Sequence, residues 1–172
     1  MTAQWVAQAA IAAAALAWIG TAAAEELPRQ PTLPLALASK AAAAALEKCR
    51  QDGNRVSVAV VDQGGTVKAL LRADGAGPHT LDSSRKKAYT ALSLRRSTAE
   101  LGDLVARVPT LQPLRDMNDS ILFLGGGLPI VIEGEVVGGI GVGGSPGADF
   151  DEACARSGLE AIGANAKPMP SK

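Results

Sequence analysis

The chain is poor in the side chains from which most metal sites are built. Its 172 residues include one histidine, His79, and two cysteines, Cys49 and Cys154, which are far apart in the sequence. One imidazole and two distant thiols are too few ligands for a structural zinc site. The sequence therefore does not favour a zinc protein.

An excess of charge of either sign is also absent. Seventeen Lys and Arg residues balance seventeen Asp and Glu residues, and the two signs are interspersed. This balance argues against non-specific binding to nucleic acid. Aromatic residues make up 3% of the chain, so aliphatic side chains must supply the core.

Nucleotide-binding signatures are missing or wrongly placed. No Gly-Lys-Ser/Thr sequence of the P-loop type occurs in the chain. The segment Gly139–Gly144 matches G-x-G-x-x-G, but a dinucleotide fingerprint must open a helix and be followed by an acidic residue after a second strand. Here the match lies inside a strand pattern near the end of the chain, which excludes that interpretation.

The first 24 residues contain no charged side chain and end in Ala22-Ala23-Ala24. A weakly apolar segment that ends in small residues is typical of a cleaved signal peptide, although Lys and Arg are missing from its start. We expect export to the periplasm or the medium, with an uncleaved alanine-rich helix as the alternative. The segment is too weakly hydrophobic, and lacks the basic flank, for a stable membrane span.

The remainder of the chain indicates a short linker, one domain and a tail. Residues 25–34 hold three prolines and predict an extended linker. We expect a single domain over residues 35–163. Residues 164–172 predict a disordered tail.

The hydrophobic periods predict an α/β fold of the α+β type. Helices are expected over residues 35–52, 80–96, 97–107 and 149–162, with Thr80, Ser97 and Asp149 at their starts. Alternating and β-branched runs predict five strands, at 56–60, 67–72, 121–124, 129–132 and 136–142. Their short connections favour an antiparallel sheet with helices packed mainly on one face, a layering like that of profilin and PAS domains.

The two cysteines fall on the apolar stripes of the first and last predicted helices. If both helices pack side by side on one face of the sheet, Cys49 and Cys154 can form a disulfide in an oxidising compartment. The alternative is two buried free thiols that behave as small hydrophobic side chains.

Glycines are concentrated in and around the last two predicted strands. Glycine within a strand loses backbone entropy and packs nothing, so Gly138, Gly139 and Gly141 indicate that another backbone or a flat ligand approaches closely.

The loop before the second predicted helix holds the candidate binding residues. His79 is either a solvated loop residue or an axial ligand to a metal in a flat cofactor. Arg72, Arg85 and Lys86 are candidates to bind ligand carboxylates, although a basic run on a helix is more often a solvated face. Asp62, Asp74 and Asp82 could act as acid/base groups, but turn and helix-start roles are commoner for such residues.

Several phrases in this order resemble one family, and the resemblance covers about residues 35–162. They are Val60-Val61-Asp62-x-x-Gly65, Arg72-x-Asp74-Gly75-Ala76, Thr80, Lys87-Ala88-Tyr89-Thr90-Ala91, Gly126-Gly127-x-Pro129-Ile130 and Val137-Gly138-Gly139-Ile140-Gly141-Val142-x-Gly144. The chain thus resembles the GlcG/HbpS family, which includes the C-terminal domain of PduO-type proteins.

The resemblance implies a haem-binding or haem-degrading protein that forms homo-oligomers. The ligand is expected near residues 74–80 and the glycine-rich strand. The candidate residues are Arg72, Asp74, Gly75, His79, Thr80, Arg85, Lys86, Gly138, Gly139 and Gly141. His79 is the expected iron ligand, with Met117 and Tyr89 as alternatives.

Two other functions stay open at this stage. One is an enzyme that acts on haem or a small organic acid, and the other is an oligomeric accessory protein without catalysis. Since no strong catalytic constellation is present, the residues favour binding over catalysis.

Overall fold

The computed structural model describes Leu27 and residues 29–167, so the predicted signal peptide lies outside the described residues. The chain divides between Gln30 and Pro31 into two units, and the second contains every element named below. No helix of the described part is long and apolar enough to cross a bilayer. The elements are α1 (Leu35–Gln51), β1 (Ser57–Asp62), β2 (Val67–Arg72), α2 (His79–Leu94), α3 (Thr98–Arg107), a 3₁₀ segment (Pro109–Asp116), β3 (Gly127–Ile132), β4 (Glu135–Gly143) and α4 (Ala148–Ala161).

Four antiparallel strands form the sheet of the described chain, in the order β2-β1-β4-β3. Two hairpins, β1–β2 and β3–β4, meet along the central β1–β4 pair. The β3–β4 turn is Glu133-Gly134, with φ of 52° and 85°. Positive φ at both turn residues matches the twist of the flanking strands, which explains the glycine at the second position.

The prediction of a fifth strand at residues 121–124 is wrong. The Ile121 amide donates to the carbonyl of Asn118 in a turn. The Leu122 amide donates to the hydroxyl of Thr90 on α2 at 2.8 Å. This segment therefore satisfies these backbone donors with a turn and a side chain instead of a neighbouring strand.

Helices cover both faces of the sheet, which corrects the predicted one-sided layering. Val58, Val60, Ile140 and Val142 pack with α1 and α4 in the larger core cluster. On the opposite face, Ala59 and Val61 pack against Ala88 and Leu92 of α2. The one-sided layering was predicted from the short connections between strands, and these connections do not determine which faces the helices cover.

Helix α2 lies directly on the glycines of β4. A Cβ at Gly139 would collide with the carbonyl oxygen of Ala88, and one at Gly141 would collide with that of Ser84. Of the two explanations for these glycines, the approach of another backbone is therefore the one observed. The absence of side chains lets helix and strand backbones touch.

We expect Gly141→Ala to lower the free energy of unfolding by about 1–3 kcal/mol, because α2 must move away from the sheet. Gly64→Ala is the matched control, since its Cβ would make an ordinary 3.4 Å contact with Asp62. Urea unfolding of both variants checks this expectation. Equal stability of the two variants would show that α2 is not held against β4 as closely as described.

Helix starts were predicted with mixed success. The Ser97 hydroxyl accepts the Glu100 amide at 3.1 Å and caps α3 as expected. Thr80, in contrast, lies within α2, which begins at His79 after Pro78. Asp149 does not cap α4, whose first flanking residue is Gly147. Glycine and proline before these two helices leave the caps without a side-chain oxygen.

The predicted disulfide is present. Cys49 of α1 and Cys154 of α4 are bonded across a Cα–Cα distance of 5.5 Å, and neither residue is exposed to solvent. The bond joins the two helices that cover one face of the sheet.

The C-terminal segment is partly ordered against the sheet edge. Asn165 and Val131 of β3 exchange two backbone hydrogen bonds, each of 2.9 Å. Residues 164–167 thus differ from the frayed tail that the sequence predicts. Residues 168–172 of that predicted tail lie outside the described chain.

Candidate functional site

Arg72 and Asp74 lie at the rim of an open cleft between α1 and the end of β2. The Arg72 guanidinium donates through Nε to the carbonyl of Ala76 at 3.0 Å, and its Nη2 donates to the same oxygen. These bonds close the loop of residues 73–76 and hold the Arg72 side chain in one orientation. Arg72 is therefore positioned by the loop that the sequence marked as a binding element.

The cleft has a volume of about 490 Å³, within the usual range for small-molecule sites. Its apolar wall is formed by the aliphatic side chains of α1 and β2, and its rim is mainly charged. The lining residues are Ala43, Leu46, Glu47, Arg50, Asn54, Arg55, Leu71, Arg72, Ala73 and Asp74. Such a surface suits a ligand with an apolar body and anionic groups.

Some of the charged residues at the rim are neutralised by ion pairs within the protein, and others are not. Glu47 accepts two hydrogen bonds from Arg50, both of 2.7 Å. The hydrogen bonds from Arg50 and Gln51 lower the pKa of Glu47 to about 2, so its carboxylate stays charged at ordinary pH. The Arg50 charge is thus already neutralised within α1.

Arg55 and Arg72, in contrast, form no ion pair with another described residue of the unit. The Arg55 stem lies over Gly75, where an added Cβ would be 3.1 Å from Nη1. Gly75 has a φ of 77°, which glycine adopts readily. Arg55 and Arg72 therefore present the available positive charge at the cleft.

His79 and Thr80 lie past the same loop and do not line the cleft. The exposed His79 imidazole lies against Gly77. The Thr80 hydroxyl donates to the Gly77 carbonyl at 2.6 Å, and it is 2.7 Å from the Ser57 hydroxyl. Thr80 is buried, so it connects α2 to β1 and does not face an open site.

Arg85 and Lys86 lie on α2, outside the cleft. Both form ion pairs with Asp82, at 3.2 Å and 3.1 Å. Partial burial raises the pKa of Asp82, but Lys86 and Arg85 lower it further, so that it stays below its ordinary value. Arg85 and Lys86 thus lie on the partly exposed face that such a run usually forms, whereas the next residue, Lys87, is buried.

The three glycines of the predicted site do not line the cleft either. Gly138, Gly139 and Gly141 are buried in β4, where backbone or side-chain atoms of β1, α2 and Leu33 occupy the space above them. These positions are therefore closed to a flat ligand. Tyr89 and Met117 are absent from the cleft lining as well.

Two of the acid/base candidates, Asp62 and Asp74, lie in a turn and at the cleft rim. Asp62 accepts the amides of Gly64 and Thr66, at 3.0 Å and 3.1 Å, and so organises the β1–β2 turn. Asp74 is exposed at the cleft rim. No group of three or more His, Cys, Asp or Glu residues within the described ranges could hold a metal ion.

Sequence reasoning missed Arg50, Arg55 and the apolar wall of the cleft. Leu46 belongs to the apolar stripe of α1 and is only partly buried against the core. Arg55 is an isolated residue between α1 and β1. The signal that could have found them is positional. Both Asn54-Arg55 and Arg72-Ala73 flank the same end of the β1–β2 hairpin, since Ser57 pairs with Arg72.

Residues 33–160 match the family described as haem degrading protein HbpS-like. The chain belongs to this family. A solved double mutant of HbpS from Streptomyces reticuli is 45% identical and has a TM-score of 0.75, covering 80% of this chain and 92% of that chain. The resemblance to the GlcG/HbpS family is therefore confirmed.

Two further relatives extend the HbpS-like comparison. Protein GlcG of Escherichia coli K12 is 36% identical over 106 residues, which are 62% of this chain and 77% of GlcG. The structure of a PduOC:haem complex has a TM-score of 0.74 and 27% identity, and it covers 80% of this chain and 99% of that chain. The sheet and helices described above are thus a fold common to this family.

Proposed function

We propose that this HbpS-like protein binds haem, with the ring against the apolar wall of the cleft and the carboxylates at Arg55 and Arg72. The observation that carries the proposal is the pairing of Leu46 and Leu71 with two arginines that form no ion pair in the described unit. The family match and the PduOC:haem complex support the choice of haem over other flat anions.

The cleft fits the ring and the carboxylates better than it fits the iron. Arginine binds carboxylates through two parallel hydrogen bonds, and aliphatic side chains suit a porphyrin face. The lining contains no His, Cys or Met side chain. His79, which the sequence suggests as the iron ligand, lies beyond Pro78 and outside this lining. The cleft proposal therefore depends on the ring and the carboxylates, and ligation by His79 is a separate proposal with its own test. When bound, haem would supply its own redox and ligand-binding chemistry.

Titration with haemin, followed at the Soret band, tests the proposal. We expect saturable binding by the wild type and an affinity about tenfold lower for Arg55→Gln, because one charged hydrogen-bonding group is lost. Arg107→Gln, an exposed change on α3, is the control and should bind like the wild type. Unsaturable binding by the wild type, or equal affinity of both variants, would refute the cleft as the site.

His79→Ala separates the iron ligand from the cleft. Ligation of the iron by His79 predicts a shifted Soret band, with an affinity changed less than in Arg55→Gln, because the arginines still hold the carboxylates. An unchanged spectrum would remove His79 as the ligand and leave the cleft untouched.

Export and self-association belong to the same proposal. The buried disulfide is compatible with an oxidising compartment, in which such bonds form and persist.

The edge strand β2 exposes Val67 and Leu70, with exposed fractions of 38% and 41%. An apolar edge of this kind suits pairing with a second copy of the chain.

A further inference from the structure

A second cleft, of about 300 Å³, lies where the α2–α3 junction, β3, α4 and the C-terminal segment meet. It shares no lining residue with the first cleft. Four of its lining residues are cationic: Arg95, Arg96, Arg156 and Lys167. Glu100 is the one carboxylate in the same lining.

Most of this positive charge is not neutralised by the protein. Arg156 pairs with Glu152 on its own helix. Within the described unit, Arg95, Arg96 and Lys167 form no ion pair, and neither does Glu100. Like charges around a concave, low-dielectric surface raise the local potential and attract anions.

The backbone fixes the positions from which two of these cationic side chains extend. Arg95 ends α2 in the left-handed conformation, with φ 54° and ψ 33°, where glycine is the usual residue. A long cationic side chain at such a position is unfavourable for the backbone alone. The paired hydrogen bonds between Asn165 and Val131 fix the segment that carries Lys167.

We propose that this second cleft binds the phosphate group of a small phosphate monoester. A phosphate monoester dianion has three acceptor oxygens and two negative charges, so it can bind several cations at once. A carboxylate has only two oxygens and one charge. The start of α3, directly after Arg96 and Ser97, adds the positive end of a ten-residue helix. The volume exceeds that of a bare phosphate, so an attached organic group fits beside the partly exposed Ala166.

Isothermal titration of the full chain with inorganic phosphate and with glycerol 3-phosphate tests the proposal. We expect saturable binding of the ester that weakens as salt is raised, with an affinity at least tenfold lower in Arg95→Gln/Arg96→Gln. Arg115→Gln, an exposed change in the 3₁₀ segment, should bind like the wild type. Binding of phosphate alone would keep the site and remove the organic subsite.

The variant Arg95→Gly distinguishes loss of the cationic side chain from loss of the fold as the cause of weaker binding. Glycine relieves the left-handed backbone, so we expect an equal or higher Tm together with weaker ester binding. Haemin titration of the same variant should be unchanged, since Arg95 is outside the first cleft. No saturable heat with either phosphate compound, or wild-type affinity in Arg95→Gly and in the double variant, would overturn the proposal.

Discussion

Replacing Lys87 with methionine is expected to lower the free energy of unfolding by about 3–5 kcal/mol. Lys87 and Asp151 form a 2.7 Å ion pair between α2 and α4, and both side chains are almost fully buried. The Lys87 ammonium also donates to the Val142 carbonyl at 2.9 Å, and Asp151 accepts the Ser145 amide. Removal of Lys87 leaves a buried carboxylate without its cation.

Urea unfolding of three variants isolates this effect. Lys86→Met is the neighbouring control, and we expect a change within about 0.5 kcal/mol, because its partner Asp82 is exposed. The double variant Lys87→Met/Asp151→Asn should recover part of the loss, since no unpaired charge remains. Equal losses in Lys86→Met and Lys87→Met would contradict the role of the buried pair.

Loss of the disulfide is expected to have an effect of similar size. The bond joins residues 105 positions apart, and closing a loop of this length contributes about 4–5 kcal/mol in the chain-entropy model. Cys49→Ala/Cys154→Ala should therefore lose most of that stability in urea unfolding, compared with the oxidised wild type. A loss below about 1 kcal/mol would show that the bond adds little to this fold.

The disulfide also bears on the first cleft. Leu46, Glu47 and Arg50 lie within one turn of Cys49, so the bond fixes the part of α1 that forms one wall. We therefore expect the same double variant to bind haemin more weakly than the wild type, even where it remains folded.

Local patterns predicted most elements, because the sequence signals agreed with the tertiary environment. The α1 stripe, the β1–β2 hairpin and the Glu133-Gly134 turn all appear where expected. The segment 121–124 failed because four apolar residues do not reveal which group will accept their amide hydrogens. The amide of Leu122 donates to the hydroxyl of Thr90, which is more than thirty positions away in the sequence.

The packing of α2 on the second face of the sheet was not predicted, for a related reason. Gly139 and Gly141 indicated close approach, but sequence alone does not tell a helix backbone from a ligand. Family resemblance then favoured the ligand. The carbonyls of Ser84 and Ala88 show that the glycines serve the packing of α2.

The candidate site was predicted in part. Arg72 and Asp74 do line the cleft, whereas His79, Arg85 and Lys86 lie elsewhere. Arg55 carries no motif, and its role depends on pairing between Ser57 and Arg72, which brings the two chain ends together. A strand register of this kind depends on both paired strands and their turn, so it cannot be predicted from a single residue.

Paramagnetic broadening of backbone amide NMR signals by ferric haemin tests the central claim most directly, because it locates the iron without a variant. At less than one equivalent, we predict early loss of the signals of Leu46, Arg55, Leu71 and Asp74, which surround the first cleft. Signals of α3 and of Asn165 should persist. Early broadening around α3 or Asn165, with the cleft signals intact, would contradict the account.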